Sequence, residues 1–246
     1  IVEGSGEDPF LGAAMATARV RGFQTEDPAS PFTILACPKH FAAYGGAEGG
    51  RDYNTVDITE RTLREVYLRP FKAAVDAGAG TIMCSFNEIG GIPSTASRQL
   101  LTDILRTEWG FKGFVVSDWT SIGELQQHGI AGTLADAARL SITAGTDMDM
   151  ESDAYWNHLA DLVKAGAVPE SIIDESVRRV LREMATPRDR ELLVRYYLHD
   201  EDKAEICRRL GLSDAHFNRV IFRARERFRA LLVTQFERTD LFCLAL

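Results

Sequence analysis

The 246-residue sequence has few of the residues that staple a fold. Its four cysteines, Cys37, Cys84, Cys207 and Cys243, lie far apart, with no C-x-x-C spacing and no nearby histidine pair. That pattern excludes the common zinc frameworks, and the cysteines read as free thiols. No apolar run approaches the roughly 18 residues of a membrane span, and no signal-peptide pattern is present. Nothing in the sequence therefore directs it to or across a membrane. It also lacks internal repeats, low-complexity stretches, a G-x-x-x-x-G-K-[ST] loop and a strand-linked G-x-G-x-x-G, so the usual phosphate cradles are excluded. Asp147, Asp149, Glu151 and Asp153 alternate like the start of a calcium loop. However, Ser152 stands where that loop needs Gly and His158 where it needs Glu, so no metal site is expected, nor any cofactor. The first residue is Ile1, so the natural start is expected to be missing.

A hydrophobic content of 45% supports a packed core. The net charge of −8 is unevenly spread, because residues 184–246 hold 12 basic and 10 acidic side chains and all the excess acid lies before them. That asymmetry puts a domain boundary near residue 184, with domains at 1–183 and 184–246.

Between residues 32 and 150, short apolar runs alternate with amphipathic stretches. Candidate strands are Phe32–Cys37, Gly80–Ser85, Gly113–Ser117 and Thr146–Met150. Leu63, Val66, Tyr67, Phe71, Ala74 and Val75 share one helical stripe, which Pro70 should kink or interrupt. Leu100, Leu101, Ile104, Leu105 and Trp109 form a second stripe that stops at Gly110. Thr133 is a plausible cap for a third helix ending at Gly145. The order βαβαβαβ fits either a doubly wound sheet or part of a barrel, and periodicity alone does not choose. After residue 154 the pattern is wholly helical.

Polar residues follow the candidate strands: Lys39-His40 after the first, Asn87-Glu88 after the second and Asp118 after the third. Parallel α/β barrels place their active sites at such strand ends. Lys39-His40-Phe41, Gly50-Arg51-Asp52-Tyr53-Asn54 and Val115-Val116-Ser117-Asp118-Trp119 together make residues from about 6 to 182 resemble glycoside hydrolase family 3, the β-glucosidase and β-xylosidase group. The resemblance implies hydrolysis of β-linked glucosides with retention of configuration. Asp118 would be the nucleophile, and Lys39, His40, Arg51, Phe86 and Trp119 would bind the sugar. Gly45-Gly46 and Gly49-Gly50 would shape a sugar-site loop.

A retaining mechanism needs a second carboxyl about 5–5.5 Å from the first to protonate the leaving oxygen. Glu124, six residues after Asp118, is the in-chain candidate; its bland alternative is a surface helix glutamate. On this resemblance the sequence is expected to begin after the family's earlier barrel strands. The expected fold is thus a partial (β/α)8 TIM-type barrel, roughly the last half, whose open edges favour self-association and whose hydrolysis is impaired.

The C-terminal part shows a different pattern. Lys203–Leu210, Gly211 and Ser213 suggest a helix, a turn and a cap, followed by a helix with Phe217, Val220, Ala224 and Phe228 on one side. Residues 203–229 hold eight basic and three acidic side chains, a footprint suited to phosphate backbones. Residues from about 187 to 232 resemble region 4 of RNA polymerase sigma factors. That resemblance implies a small all-α helix-turn-helix module binding duplex DNA through His216, Asn218, Arg219 and Arg223. The family 3 subgroup that the first part resembles is the bacterial exported β-glucosidases, which share no compartment with a cytoplasmic DNA reader, so the join near Glu183-Met184 is expected to be chimeric or truncated. The alternatives are a DNA-binding protein with a sugar-sensing barrel and a fusion with neither activity.

Overall fold

The computed structural model describes residues 4–25, 33–51, 53–184 and 186–245, with side chains described up to 229 other than at 215. Helix α1 (Pro9–Gln24) starts where Asp8 accepts hydrogen bonds from Phe10 N and Leu11 N, with Pro9 in the first turn. Its buried stripe is Gly12, Ala16 and Val20. Gly12 lets it close on α2, since a Cβ there would stand 3.2 Å from Pro70 Cγ.

Helix α2 runs through Glu60–Thr62, a π-helical turn Leu63–Tyr67, and Leu68–Asp76. The wide turn lies just ahead of Pro70, which has no N–H to donate and whose ring crowds the carbonyl four residues back. The chain therefore passes the proline without ending the helix. Helix α3 (Gln99–Glu108) buries Leu100, Leu101, Ile104 and Leu105 and stops before Gly110 at φ 71°. Helix α4 (Leu134–Ala144) is capped by Thr133, which accepts from Asp136 N, and ends at Gly145 with φ 117°. These limits match the sequence pattern.

Strands β1 (Cys37–Lys39), β2 (Thr81–Met83) and β5 (Phe114–Val116) lie parallel at the barrel core, while β3 (Glu88–Ile89) and β4 (Ile92–Pro93) make a short antiparallel hairpin beside it. Thr81 N donates to Ala36 O and Phe41 N to Met83 O, so β1 adjoins β2. β2 pairs β5 through Ile82 and Val115, and Ser117 N donates to Met148 O. The fourth expected strand is reduced to a single bridge between Val116 and Met148. Residue 32, where the first strand was expected to begin, lies outside the described residues. β2 and β5 are buried along their whole length, as strands covered on both faces must be.

Helices α5 (Ala154–Lys164) and α6 (Glu170–Arg182) follow, then α7 (Pro187–Leu193, continued by a π-helical turn Val194–Leu198), α8 (Lys203–Leu210) and α9 (Asp214–Phe242). The local succession of α8, a left-handed Gly211 and α9 follows the sequence pattern, but a separate helix-turn-helix module does not form. Leu181 of α6 and Met184 share one apolar cluster with Leu192, Ile206, Phe217 and Ala224. Phe228 of α9 also packs on the barrel cluster of Cys37, Met83, Phe114 and Met148. The chain then closes on the sheet: β6 (Cys243–Ala245) pairs parallel with β1, Cys37 opposite Cys243. The expected open edge at β1 is therefore occupied, which removes the basis for self-association through it. His216, Asn218, Arg219 and Arg223 lie exposed on the outer side of α9, a helix committed to the barrel rather than to an independent DNA reader. The helix-turn-helix reading fails because helical period and a glycine turn are local, whereas the surface they pack against is not.

Candidate active site

Asp118 follows β5 by two residues and is 8% exposed. Its Oδ1 accepts from Trp119 N at 2.7 Å, and its backbone carbonyl accepts from Ser117 Oγ and Ser121 N. Ser117 Oγ in turn accepts from Met150 N, which ties the loop after β5 to the neighbouring segment. The nucleophile candidate is thus held from three sides at a strand end.

His40, one residue past β1, presents Nε2 to Asp118 Oδ2 at 3.4 Å. Burial, helped by the charge of Lys39, lowers the imidazole from 6.5 to about 4, so His40 is neutral near pH 7. Lys39 ends β1, half-buried. Cis peptide bonds join Lys39 to His40 and Phe41 to Ala42. The turn is fastened by Ser85 Oγ and Asn87 Nδ2, which both donate to Ala42 O, at 3.1 and 3.2 Å.

Glu124 lies on a short 3-10 turn, Gly123–Leu125, half-buried. Burial and the charge of Asp118 raise its carboxyl above the ordinary glutamate value. Beside His40 stands a run of rings. The Tyr44 ring is 4.8 Å from His40, Phe86 is 6.3 Å from Tyr44, and Tyr53 is 4.4 Å from Phe86. Trp119 is 59% exposed at the rim, and Arg51 is exposed on the loop between β1 and α2.

The structure thus gathers Lys39, His40, Asp118, Glu124 and Phe86 at one end of the sheet, with Trp119 and Arg51 further out. Tyr44 and Ser85, which also lie at this end of the sheet, were not singled out in the sequence. Asn87 was legible as a polar residue past a strand end, and Tyr53 lay in a motif already noticed. Asp147, taken from the calcium-like alternation, instead sits buried between Arg106 and Arg179 and accepts from Val115 N at 2.8 Å. That carboxylate is committed to the protein's own cations. No helix among the described residues is long and apolar enough to cross a membrane.

The glycosyl hydrolase family 3 N-terminal domain matches residues 2–183. The periplasmic β-glucosidase of Salmonella typhimurium is 44% identical over 179 residues, covering 73% of this chain and 23% of that protein. The lysosomal β-glucosidase of Dictyostelium discoideum is 39% identical over 190 residues, covering 74% of this chain and again 23% of the relative. The chain therefore spans about a quarter of the length of these curated relatives. The crystal structure of a β-glucosidase from Listeria innocua in complex with glucose is 36% identical, covers 93% of this chain and 30% of that one, and superposes with a TM-score of 0.73. Such coverage takes in the C-terminal helices as well. It leaves no room for an appended sigma-factor-like module and removes the case for a chimeric chain. Because the family match spans residues 2–183, well over half of the chain, the chain belongs to glycosyl hydrolase family 3.

Proposed function

We propose that the chain carries the sugar-binding and nucleophilic centre of a retaining β-glycosidase acting on β-linked glucosides. Its relatives named as β-glucosidases support the substrate class. The observation that carries the proposal is Asp118, anchored through Oδ1 by Trp119 N while Oδ2 faces His40. One carboxylate oxygen is fixed and the other points toward the sugar-binding residues, as attack on an anomeric carbon requires.

Lys39 and His40 hold sugar hydroxyls, the neutral imidazole acting as a hydrogen-bond partner without competing as a cation. Phe86 gives an apolar wall, and Arg51 and Trp119 border the entrance. Asp118 attacks the anomeric carbon as the glycosidic bond breaks, and the departing oxygen takes its proton from Glu124. The raised affinity of Glu124 for a proton suits an acid that must remain protonated until that step. Water then enters on the same face, gives a proton back to Glu124 and releases the sugar from Asp118.

Formation of the covalent intermediate needs Asp118 and a good leaving group, whereas turnover of an unactivated glycoside also needs Glu124. The test is incubation with a 2-deoxy-2-fluoro-β-glucoside bearing an activated leaving group, followed by intact mass spectrometry. A single adduct, absent in Asp118→Ala, is expected. An adduct of equal yield in that variant, or none with folded parent protein, overturns the assignment.

A further inference from the structure

The exposed ring of Tyr53 is not used by the chemistry above, and its setting is unusual for a loop aromatic. It remains 47% exposed while packing 4.4 Å from Phe86, the residue that continues the ring ladder through Tyr44 back to His40. Its backbone has φ 63°, a left-handed conformation that side-chain-bearing residues adopt rarely.

The flanks of the loop are pinned. Glu48 N donates to Thr55 O, and Asn54 Nδ2 donates to Glu48 O at 3.1 Å. Thr55 Oγ1 donates to Glu88 Oε1, and Val56 N to Glu88 O, tying the loop to β3. The ring is therefore presented from a braced turn rather than carried on a loose one. It stands on the solvent side of Phe86, whereas His40 and Asp118 lie at the inner end of the ladder.

We infer that Tyr53 is a specificity-determining residue of the proposed glycosidase site, an aromatic platform for the leaving-group part of the substrate. This rests on the reading of Asp118 and His40 as the centre of sugar cleavage. With the cleaved sugar at His40 and Asp118, the group beyond the scissile oxygen extends outward along the ladder. A half-exposed ring backed by another ring offers it a flat apolar face, suited to an aryl group or to the C–H face of a second sugar. The preference it creates is for glycosides with a ring on the leaving side over those with a small leaving group.

Two inactivators separate this role from the centre itself: 2,4-dinitrophenyl 2-deoxy-2-fluoro-β-glucoside and 2-deoxy-2-fluoro-β-glucosyl fluoride. In both, a bond forms from Asp118 to C1 as the leaving group departs with its bonding electrons, as dinitrophenolate or as fluoride. Neither step needs a proton donor. The ratio of the two inactivation rate constants, aryl over fluoride, is expected to fall roughly tenfold in Tyr53→Ala and to stay near the parent value in Tyr53→Phe. An equal fall with both reagents means that Tyr53 merely braces the loop, and an unchanged ratio means that it touches no leaving group. Either result overturns the inference.

No adduct in the parent with either reagent would sink the centre instead. The platform is then judged by equilibrium titration with 4-nitrophenyl β-glucoside. Weaker binding in Tyr53→Ala than in Tyr53→Phe supports it, and equal affinity overturns it. Circular dichroism of both variants establishes that they are folded.

Discussion

Glu183, just past the end of α6, predicts a pH dependence of stability whose sign is fixed by the structure. Its carboxylate occupies space left by Gly80, where a Cβ would stand 2.7 Å from Glu183 Oε2. Burial raises the carboxyl from 4.5 to about 7, against the opposing charges of Arg182 and Arg190. A carboxyl raised on folding contributes fully below pH 4.5 and loses that contribution as the pH climbs through 7. The gap between 4.5 and 7 corresponds to about 3 kcal/mol, and partial exposure reduces this to roughly 2 kcal/mol. Glu183→Gln keeps the shape and removes the charge. Urea unfolding followed by tryptophan fluorescence at pH 5 and pH 8 should show parent and variant close together at pH 5. At pH 8 the variant should be the more stable by about 2 kcal/mol, with unchanged m-values. Parallel stability profiles across that range would refute the reasoning, since they would mean that Glu183 reaches water without cost.

His40 predicts a loss in acid. Its imidazole is lowered to about 4 in the folded chain, so its contribution is complete above pH 6.5 and is lost as the pH falls toward 4. The stability difference between parent and His40→Asn should change by up to about 3 kcal/mol over that interval in urea titrations. Asp147→Asn leaves Arg106 and Arg179 without their shared carboxylate and should cost about 3–5 kcal/mol, read as a lower thermal midpoint. Survival of the parent midpoint would show that the guanidinium groups find water instead.

Much of the helical layout was legible because helix period, caps and stops act within a few residues. Thr133 and Gly145 bound α4 in sequence as they do in structure, and the stripe ending at Gly110 became α3. Strand limits were less legible. Buried parallel strands show no alternation, and the segment after Gly145 has only one bridging partner. Lys39, His40 and Asp118 could be singled out because each ends or follows a strand, and parallel strands bring their C-terminal ends to one side. The ladder from His40 to Tyr53 could not, since it joins rings from the loops after β1 and β2 that only packing brings together.

The C-terminal helices separate what is local from what is not. The sequence alone determined that α8, Gly211 and α9 would follow one another, and which family residues from about 6 to 182 belong to, a span the family match carries to 2–183. It did not determine what those helices pack against, and an amphipathic pair with a basic outer face fits a DNA-binding module as well as a barrel wall. Tertiary structure decided it through Phe228 against the barrel cluster and Cys243 opposite Cys37. Contacts between residues so far apart in the chain depend on which apolar and backbone surfaces remain to be covered once the sheet has formed, and no local pattern carries that information.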